Sequence, residues 1–390
     1  MPINLEKVRL ETPGAKEVIH FNNAGASLPC NKVLRSVIDH LTLESQKGGY
    51  EAAAIKQEAI DRFYTAAAKL INAEADEIAY AESATRAWDM VFYGIPFKKG
   101  DRIITCASEY ASNYIAYLQV SEQKGVEIDV VPNDAFGQVD VQALEAMMDE
   151  RVKLISITHV PTNGGLINPA KAIGEVAKKF KVLYLLDACQ SVGQMPIDVQ
   201  EIGCDMLTVT GRKFLRGPRG TGFLYVRKSV LESIIPPFLD LHSAEWVAKD
   251  SFVVRKDAKR FESWERYAAG QIGLGVAIDY LLELGVQNIW ERIQYLAGLL
   301  RSELGALENV ILHDLGDHRC GIVTFSMDKK DPFEIQKYLR ENKINISISS
   351  KPYTLLDMSS RHLENILRAS VHYYNNEEEI KRFIKALQLV

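Results

Sequence analysis

Between residues 102 and 226 the sequence alternates short apolar runs with helix-length segments, and this rhythm limits the fold more than any other feature. The runs 102–105, 127–131, 153–158, 182–186, 206–209 and 222–226 have the length and composition of buried strands. Segments 84–94, 110–123, 140–149 and 169–180 read as helices. Such alternation predicts an α/β fold whose large, mainly parallel sheet is sandwiched by helices. In sheets of this kind ligands bind beyond the carboxyl ends of the strands, and His159, Asp187 and Lys213 all fall at such ends.

Upstream, residues 49–71 read as one amphipathic helix. After about residue 255 the pattern changes. Residues 268–305 read as long helix broken near Gly285, followed by strands at 319–326, 344–349 and 366–372 and helices at 332–341 and 376–388. The expected organisation is a large domain over 21–260 and a smaller C-terminal α/β domain over 261–390, with residues 1–20 packed against the latter. No Pro/Ser-rich tether separates them, so a helix should form the boundary.

With 390 residues and 47% hydrophobic composition, the chain can bury a large core spread over about two domains. A net charge of −5, with acids and bases interspersed, predicts neither a nucleic-acid face nor an acidic tail. The start has no apolar run of signal-peptide length, and no stretch of 18 apolar residues occurs, so a membrane span is not expected. The five cysteines form no CxxC pair, and their odd number argues against a disulfide framework. A reducing, cytoplasmic location is the expectation.

The chemistry concentrates in residues 183–222. An apolar strand runs into Asp187-Ala188-Cys189-Gln190, and a later strand end carries Thr210-Gly211-Arg212-Lys213, ahead of the glycine-rich run Gly217–Gly222. That run is neither GxGxxG nor GxxxxGK[ST], so nucleotide fingerprints are absent. An acid at one strand end and a lysine at another suit pyridoxal phosphate. The lysine would hold the cofactor as a Schiff base, and the acid would keep the pyridine nitrogen protonated, which makes the ring an electron sink.

Each of these residues also has a plainer reading. A strand-end lysine is ordinarily a solvated charge, but the glycines around Lys213 allow close backbone approach, and desolvation would make it a usable nucleophile and base. Asp187 is either the cap of a following helix or the partner of a pyridinium. Gln190 would reach the ring hydroxyl. Ser83-Ala84-Thr85 opens a helix, either as an ordinary cap or as a phosphate cradle to which Thr210 and Arg212 would add contacts. Arg368, between apolar neighbours, is either a fork for a substrate carboxylate or half of a structural salt bridge. His159 reads as structural, and His313–His318 reads as a turn rather than a metal site.

Taken together these residues resemble the class V aminotransferase family of fold-type I pyridoxal phosphate enzymes. The similar branch holds cysteine desulfurases, selenocysteine lyases, isopenicillin N epimerase-like proteins and hercynylcysteine sulfoxide lyases. The resemblance starts at Phe21-Asn22-Asn23-Ala24-Gly25 and runs through Ser83–Thr85, Thr158-His159-Val160, Asp187–Gln190 and Thr210–Lys213. It ends at Arg368-Ala369-Ser370 and Tyr374–Glu379. It implies Lys213 as the Schiff-base lysine, Asp187 as the pyridine-nitrogen partner and Gln190 as the ring-hydroxyl partner. It also implies phosphate contacts from Thr85, Thr210 and Arg212, with Ser83 and Ala84 alongside, and substrate contacts from Arg368 and Asn23. A homodimer with shared active sites is implied too, with Phe261–Arg266 at its interface.

The sequence departs from the family pattern in four places. Arg212 stands where a histidine usually precedes the lysine. The segment that carries a ring-stacking histidine in desulfurases reads Glu109-Tyr110-Ala111-Ser112-Asn113, so Ala111 takes the stacking position, or Tyr110 or Tyr114 substitutes. The family's asparagine after the 159–160 pair falls on Thr162, with Asn163 beside it. Between Ser349 and Arg368 there is no cysteine, and Cys320 is expected inside a strand, which disfavours a persulfide relay.

The implied reaction begins when the amine of a small amino-acid substrate displaces Lys213, and the freed lysine then removes the α-proton. The expected outcome is β-elimination from a sulfur-containing amino acid, because residues 261–274 look most like the lyase and epimerase branch. Transamination is the alternative, then epimerisation, then a non-catalytic pyridoxal phosphate-binding protein.

Overall fold

The computed structural model describes residues 3–390. Seven strands form the central sheet: β1 Ile78–Ala81, β2 Arg102–Cys106, β3 Glu127–Val131, β4 Val152–Thr158, β5 Leu183–Asp187, β6 Met206–Thr210 and β7 Gly222–Val226. Their spatial order is β1-β7-β6-β5-β4-β2-β3. Strands β2 to β6 run parallel, and β7 is antiparallel to both of its neighbours, β6 and β1. The parallel strands put their carboxyl ends on one edge, which is where the site forms.

Both faces of this sheet are covered, so its central strands are apolar throughout rather than alternating. Along β5, Tyr184 and Leu186 join one core cluster while Leu185 joins the other. The first cluster continues into the C-terminal part through Ile289, Leu296, Phe325 and Phe383. The second is built on Trp88, Phe92 and Tyr117.

Several boundaries differ from the sequence reading. β1 is a four-residue edge strand, too short to register as a separate run. The segment 49–71 is two helices, Gly49–Ile55 and Gln57–Ile71, separated at Lys56, which leaves helical geometry at φ −103° and ψ 16°. The helix expected at 140–149 covers only Val141–Ala146. A hairpin of β8 Ala244–Ala248 and β9 Ser251–Val254 was not anticipated; its residues are largely solvent-facing and carry no core periodicity.

The C-terminal part holds β10 Val310–Leu312, β11 Ile322–Met327, β12 Ser347–Ser350 and β13 Asn365–Ser370, antiparallel in the order β10-β11-β13-β12. Cys320 is not inside a strand, contrary to expectation. It lies two residues before β11, its N–H donating to the Gly165 carbonyl at 2.7 Å. The stretch 344–349 divides: Ile344–Asn345 pairs in parallel with Ile19–His20, and only Ser347–Ser350 joins the antiparallel sheet. Helices Ala268–Leu284 and Val286–Gly305 meet at a 79° bend. Gly285 makes that bend with φ +82°, in the left-handed region where a side chain would be strained. No single described helix is long and apolar enough to cross a membrane.

Arg216 ties distant parts of the chain to the loop after β6. Buried, it donates to the Leu28 carbonyl at 2.7 Å, the Tyr373 hydroxyl at 2.7 Å and Thr12 Oγ1 at 2.6 Å. Arg9 adds an ion pair with Glu379 at 2.8 Å.

Candidate active site

A cavity opens at the carboxyl edge of the central sheet. The segment after β4 contributes Val160 and Thr162, the end of β5 contributes Asp187, Cys189 and Gln190, and the end of β6 contributes Thr210, Arg212 and Lys213. Ser83, Ala84 and Thr85 enter from the start of helix Ala84–Phe92, and Tyr110 and Asn113 from the start of helix Ala111–Lys124. All the residues that the sequence proposed for the cofactor thus share one wall system. Of the three positions weighed for ring stacking, Tyr110 alone lines the cavity; Tyr114 instead packs edge-on against Tyr117 at 5.8 Å.

Asp187 does not cap a helix. Its Oδ1 accepts the Cys189 N–H at 3.0 Å, a local turn, and the next described helix begins only at Val199. Its Oδ2 accepts from Asn113 Nδ2 at 3.1 Å. The Lys213 side chain has no hydrogen-bond partner among the described residues. Burial pulls its ammonium down to about 8, with Asp187 and the Arg212 charge acting in opposite directions. The lysine turn is held by backbone bonds from Gly211 to Thr221, from Gly217 to Gly211 and from Arg216 to Lys213, at 2.8, 2.8 and 3.0 Å.

The cap reading of Ser83 holds. Its side chain accepts the Arg86 N–H at 3.1 Å as a cap, and the helix amides of Ala84 and Thr85 remain without intrahelical acceptors. Gly222, at the start of β7, lets this helix end come close: a Cβ there would lie 2.5 Å from the Val209 carbonyl oxygen and 3.2 Å from the Ala84 nitrogen.

Among the described residues Arg368 forms no salt bridge. Its Nη1 donates to the Thr162 carbonyl at 3.0 Å and to Thr162 Oγ1 at 2.8 Å, its Nη2 reaches Asn22 Oδ1 at 3.4 Å, and its buried Nε has no partner. Burial, with the nearby Arg212 charge, lowers it to about 10, so an arriving anion would be favoured. Gln190 is similar: its Nε2 donates to the Ala24 carbonyl at 3.2 Å and Thr162 Oγ1 at 3.4 Å, while its buried Oε1 is unpaired. Arg212 donates to the Gly25 carbonyl, so in this structure the 22–25 turn rather than the helix start engages it.

One expectation requires correction. Asn23 does not face the site. It is fully buried, its Nδ2 bonded to the Ser370 carbonyl at 2.7 Å and the His20 carbonyl at 3.2 Å, its Oδ1 accepting from the Tyr374 hydroxyl. Its neighbour Asn22 meets Arg368 instead. Asn163 also turns away, donating to Thr354 Oγ1 at 2.8 Å, which leaves Thr162 in the cavity. His159 is buried outside the cavity wall, and burial lowers it to about 4, consistent with a neutral structural ring. His313 is tied to Ser326 Oγ at 2.8 Å.

The sequence reading gave no role to Asn113, Glu109 or Cys189. The first two were visible only as members of the segment 109–113, whose i, i+4 spacing puts both side chains on one side of a helix start. Of the segment Phe261–Arg266, Glu262 is buried and receives the Tyr64 hydroxyl at 2.9 Å, the Tyr80 N–H at 2.7 Å and His242 Nε2 at 2.9 Å, whereas Trp264 is exposed.

The sequence profile of the family described as aminotransferase class-V matches residues 19–383. The chain belongs to the class-V aminotransferase family. A probable cysteine desulfurase of Methanothermobacter thermautotrophicus is 29% identical, the match covering 98% of this chain and 97% of the relative. The solved cysteine desulfurase of Thermococcus onnurineus superposes with a TM-score of 0.92 at 25% identity, over 100% of this chain and 98% of that one. The cystine C–S lyase C-DES, solved with its product cysteine persulfide, shares the fold with a TM-score of 0.87 at 23% identity, over 96% of this chain and 98% of that one.

This class-V protein is a pyridoxal phosphate-dependent enzyme. The cavity has the donor set for that cofactor. A buried lysine of lowered basicity, a buried acid at an adjacent strand end, an unpaired Gln190 Oε1 and free helix amides at Ala84 and Thr85 line the same space. Ser83, Ala84, Thr85 and Thr210 would take the phosphate, Asp187 the ring nitrogen, Gln190 the ring hydroxyl and Tyr110 a ring face.

Proposed function

We propose that this class-V enzyme is a β-eliminating C–S lyase that acts on a sulfur-containing amino acid and releases the sulfur as a small molecule. The observation that carries the reading is the segment between β12 and β13. It has no cysteine, and it is folded as a tight turn, Lys351–Thr354, followed by helix Leu355–Ser360. Thr354 is bonded to Asn163, the Asp357 N–H donates to the Ala107 carbonyl at 3.1 Å, and Lys351 pairs with Glu364 at 2.7 Å. The one cysteine in the cavity wall, Cys189, sits beside Asp187, and burial holds its thiol well above the usual range, in the unreactive protonated form. No thiol in the cavity wall is therefore placed to accept sulfur. The names of the relatives, cysteine desulfurases and a cystine C–S lyase, support a sulfur amino acid as the substrate class.

When bound, pyridoxal phosphate supplies an electron sink for the charge left at an amino acid's α-carbon. The protein's own groups do the rest. Arg368, with Thr162 fixing its Nη1, would hold the α-carboxylate through the free Nε edge. Lys213, with its ammonium lowered to about 8, has an appreciable neutral fraction near neutral pH and can take the α-proton on Nζ. Asp187, its two oxygens held by Cys189 N–H and Asn113, would meet the ring nitrogen. With cysteine as substrate the Cα–H and Cβ–S bonds break, and the net reaction is cysteine plus water to pyruvate, ammonia and hydrogen sulfide.

The test is to give the cofactor-loaded enzyme cysteine, cystine, cysteine sulfoxides and selenocysteine without a keto acid, and to quantify pyruvate, ammonia and sulfide. Pyruvate and ammonia in equal amounts support elimination. Conversion of the cofactor to its amine form without pyruvate replaces it with transamination.

We further propose a homodimer. Phe238, Leu241, Trp246, Phe252 and Trp264 expose large apolar side chains within the stretch 238–264, an unusual concentration for a free surface. A sedimentation mass of one chain would overturn this.

A further inference from the structure

Behind the Asp187 carboxylate lies a second buried acid that the proposed reaction does not use. Glu109 is 3% exposed, and no cation is paired with it among the described residues. Four donors surround it instead. Oε1 accepts from Asn113 Nδ2 at 2.9 Å, from the Tyr110 N–H at 2.8 Å and from the Thr158 hydroxyl; Oε2 accepts from Thr105 Oγ1 at 3.0 Å. The same Asn113 nitrogen donates to Asp187 Oδ2 at 3.1 Å. One buried amide thus bridges two buried acids.

The chemistry of the groups makes the bridge directional. Glu109 Oε1 already accepts from Tyr110 N–H and the Thr158 hydroxyl and stays an acceptor in either protonation state, so Asn113 must turn its NH2 group, with two hydrogens, towards Glu109 and Asp187. Were the amide turned over, its oxygen would face both carboxylates, which is repulsive on each side. Glu109 therefore decides which way the amide faces, and the amide decides where Asp187 Oδ2 rests while Cys189 N–H fixes Oδ1. Burial still pushes the Glu109 carboxyl up to about 7, so keeping an acid here costs stability and calls for a return in function.

We propose that Glu109 is a positioning residue for the ring-nitrogen acid: acting through Asn113, it holds Asp187 in the orientation that meets the cofactor's pyridine nitrogen. The inference rests on the reading of Asp187 as the ring-nitrogen partner. Glu109 does not touch the reacting atoms, and its effect passes through one hydrogen-bonded relay of named atoms.

The experiment loads the enzyme with pyridoxal phosphate carrying 15N in the ring and records the nitrogen chemical shift, which separates protonated from neutral rings, together with the cofactor dissociation constant. The variants are Glu109→Gln, Glu109→Leu, Asn113→Ala and, as a control, Asp187→Asn. Glutamine can keep the relay: its oxygen takes the three donors at the Oε1 position, and its NH2 can donate to Thr105 Oγ1, which can turn to accept. The expected result is a protonated ring nitrogen in the wild type and in Glu109→Gln. In Glu109→Leu and Asn113→Ala the shift should move towards neutral, with cofactor affinity down about tenfold, the scale of one charge-assisted hydrogen bond. Asn113→Ala tests the relay with Glu109 present, so a failure of Glu109→Leu to fold does not decide the matter. If Asp187→Asn loses the protonated signal while Glu109→Leu and Asn113→Ala keep it, this proposal falls and the Asp187 assignment stands. If Asp187→Asn keeps it as well, both fall together.

Discussion

Arg368 spends one edge of its guanidinium on Thr162, through both the carbonyl and the hydroxyl oxygen, and leaves its buried Nε without an acceptor. An arginine held in place by neutral partners and short of an anion is prepared to receive one. Arg368→Ala should therefore raise KM for the amino acid by about 10- to 100-fold, the range for losing a hydrogen bond to a charged group, with a smaller change in kcat. Steady-state kinetics on the best substrate of the screen will measure the split. An unchanged KM would remove Arg368 from substrate binding.

Lys213→Ala should abolish the visible band of the cofactor-loaded protein and reduce turnover at least about a thousandfold, because nucleophile and base are lost together. Absorbance after cofactor loading checks this directly. A retained band would mean that another amine carries the cofactor.

The cofactor-free protein should show the lysine's burial as a pH effect. Its folded-state value is about 8, against 10.5 when unperturbed. Between these values the unfolded chain binds the extra proton, so this group's contribution to stability improves as pH rises from 8 to 10.5. Lys213→Met removes the penalty at every pH. Its gain in melting temperature over the wild type should be largest below pH 8 and fade towards pH 10.5. A gain that is flat across this window contradicts the assignment.

Glu109 gives the opposite slope. Burial raises its folded value to about 7 from 4.5, so the folded state holds a proton that the unfolded chain releases, and stability falls as pH rises through that interval. Glu109→Gln in the cofactor-free protein should be more stable than the wild type at pH 8, by about 1 to 3 kcal/mol, and nearly equal at pH 4.5. Paired denaturant titrations at the two pH values test it.

Gly222→Ala should destabilise the protein by about 1 to 3 kcal/mol, the usual cost of overpacking. It should also weaken cofactor binding, since the new methyl would press on the Val209 carbonyl and the Ala84 amide. Unchanged cofactor affinity would separate the helix start from the phosphate end of the site.

The parts of this site that the sequence disclosed are those tied to strand ends. Asp187, Thr210 and Lys213 follow apolar runs whose burial on both faces leaves a continuous signature, and β3 and β7 have the bounds read from the sequence. Sequence periodicity says nothing about loops. Asn22 and Asn23 are adjacent and chemically identical, and only tertiary partners, the His20 and Ser370 carbonyls that accept and the Tyr374 hydroxyl that donates, decide that Asn23 points into the core and Asn22 towards Arg368. The relay from Glu109 to Asp187 joins β2, β4 and β5 through two side chains, Glu109 and Asn113, a convergence that no local pattern records. The hairpin of β8 and β9 was missed because burial supplies the strand signal, and there is little burial there.

The clasp made by Arg216 bears on how the enzyme is born. Its guanidinium joins Thr12 and Leu28 near one end of the chain and Tyr373 near the other to the loop that begins at Lys213. A ribosome that has released the whole central sheet has delivered the lysine and its acid, but not the tyrosine that closes the clasp. Chains stalled before residue 373 should therefore take up cofactor more weakly than released ones, which fluorescence of bound pyridoxal phosphate on arrested complexes would report. Full cofactor capture would then wait until Tyr373 has emerged and closed the clasp.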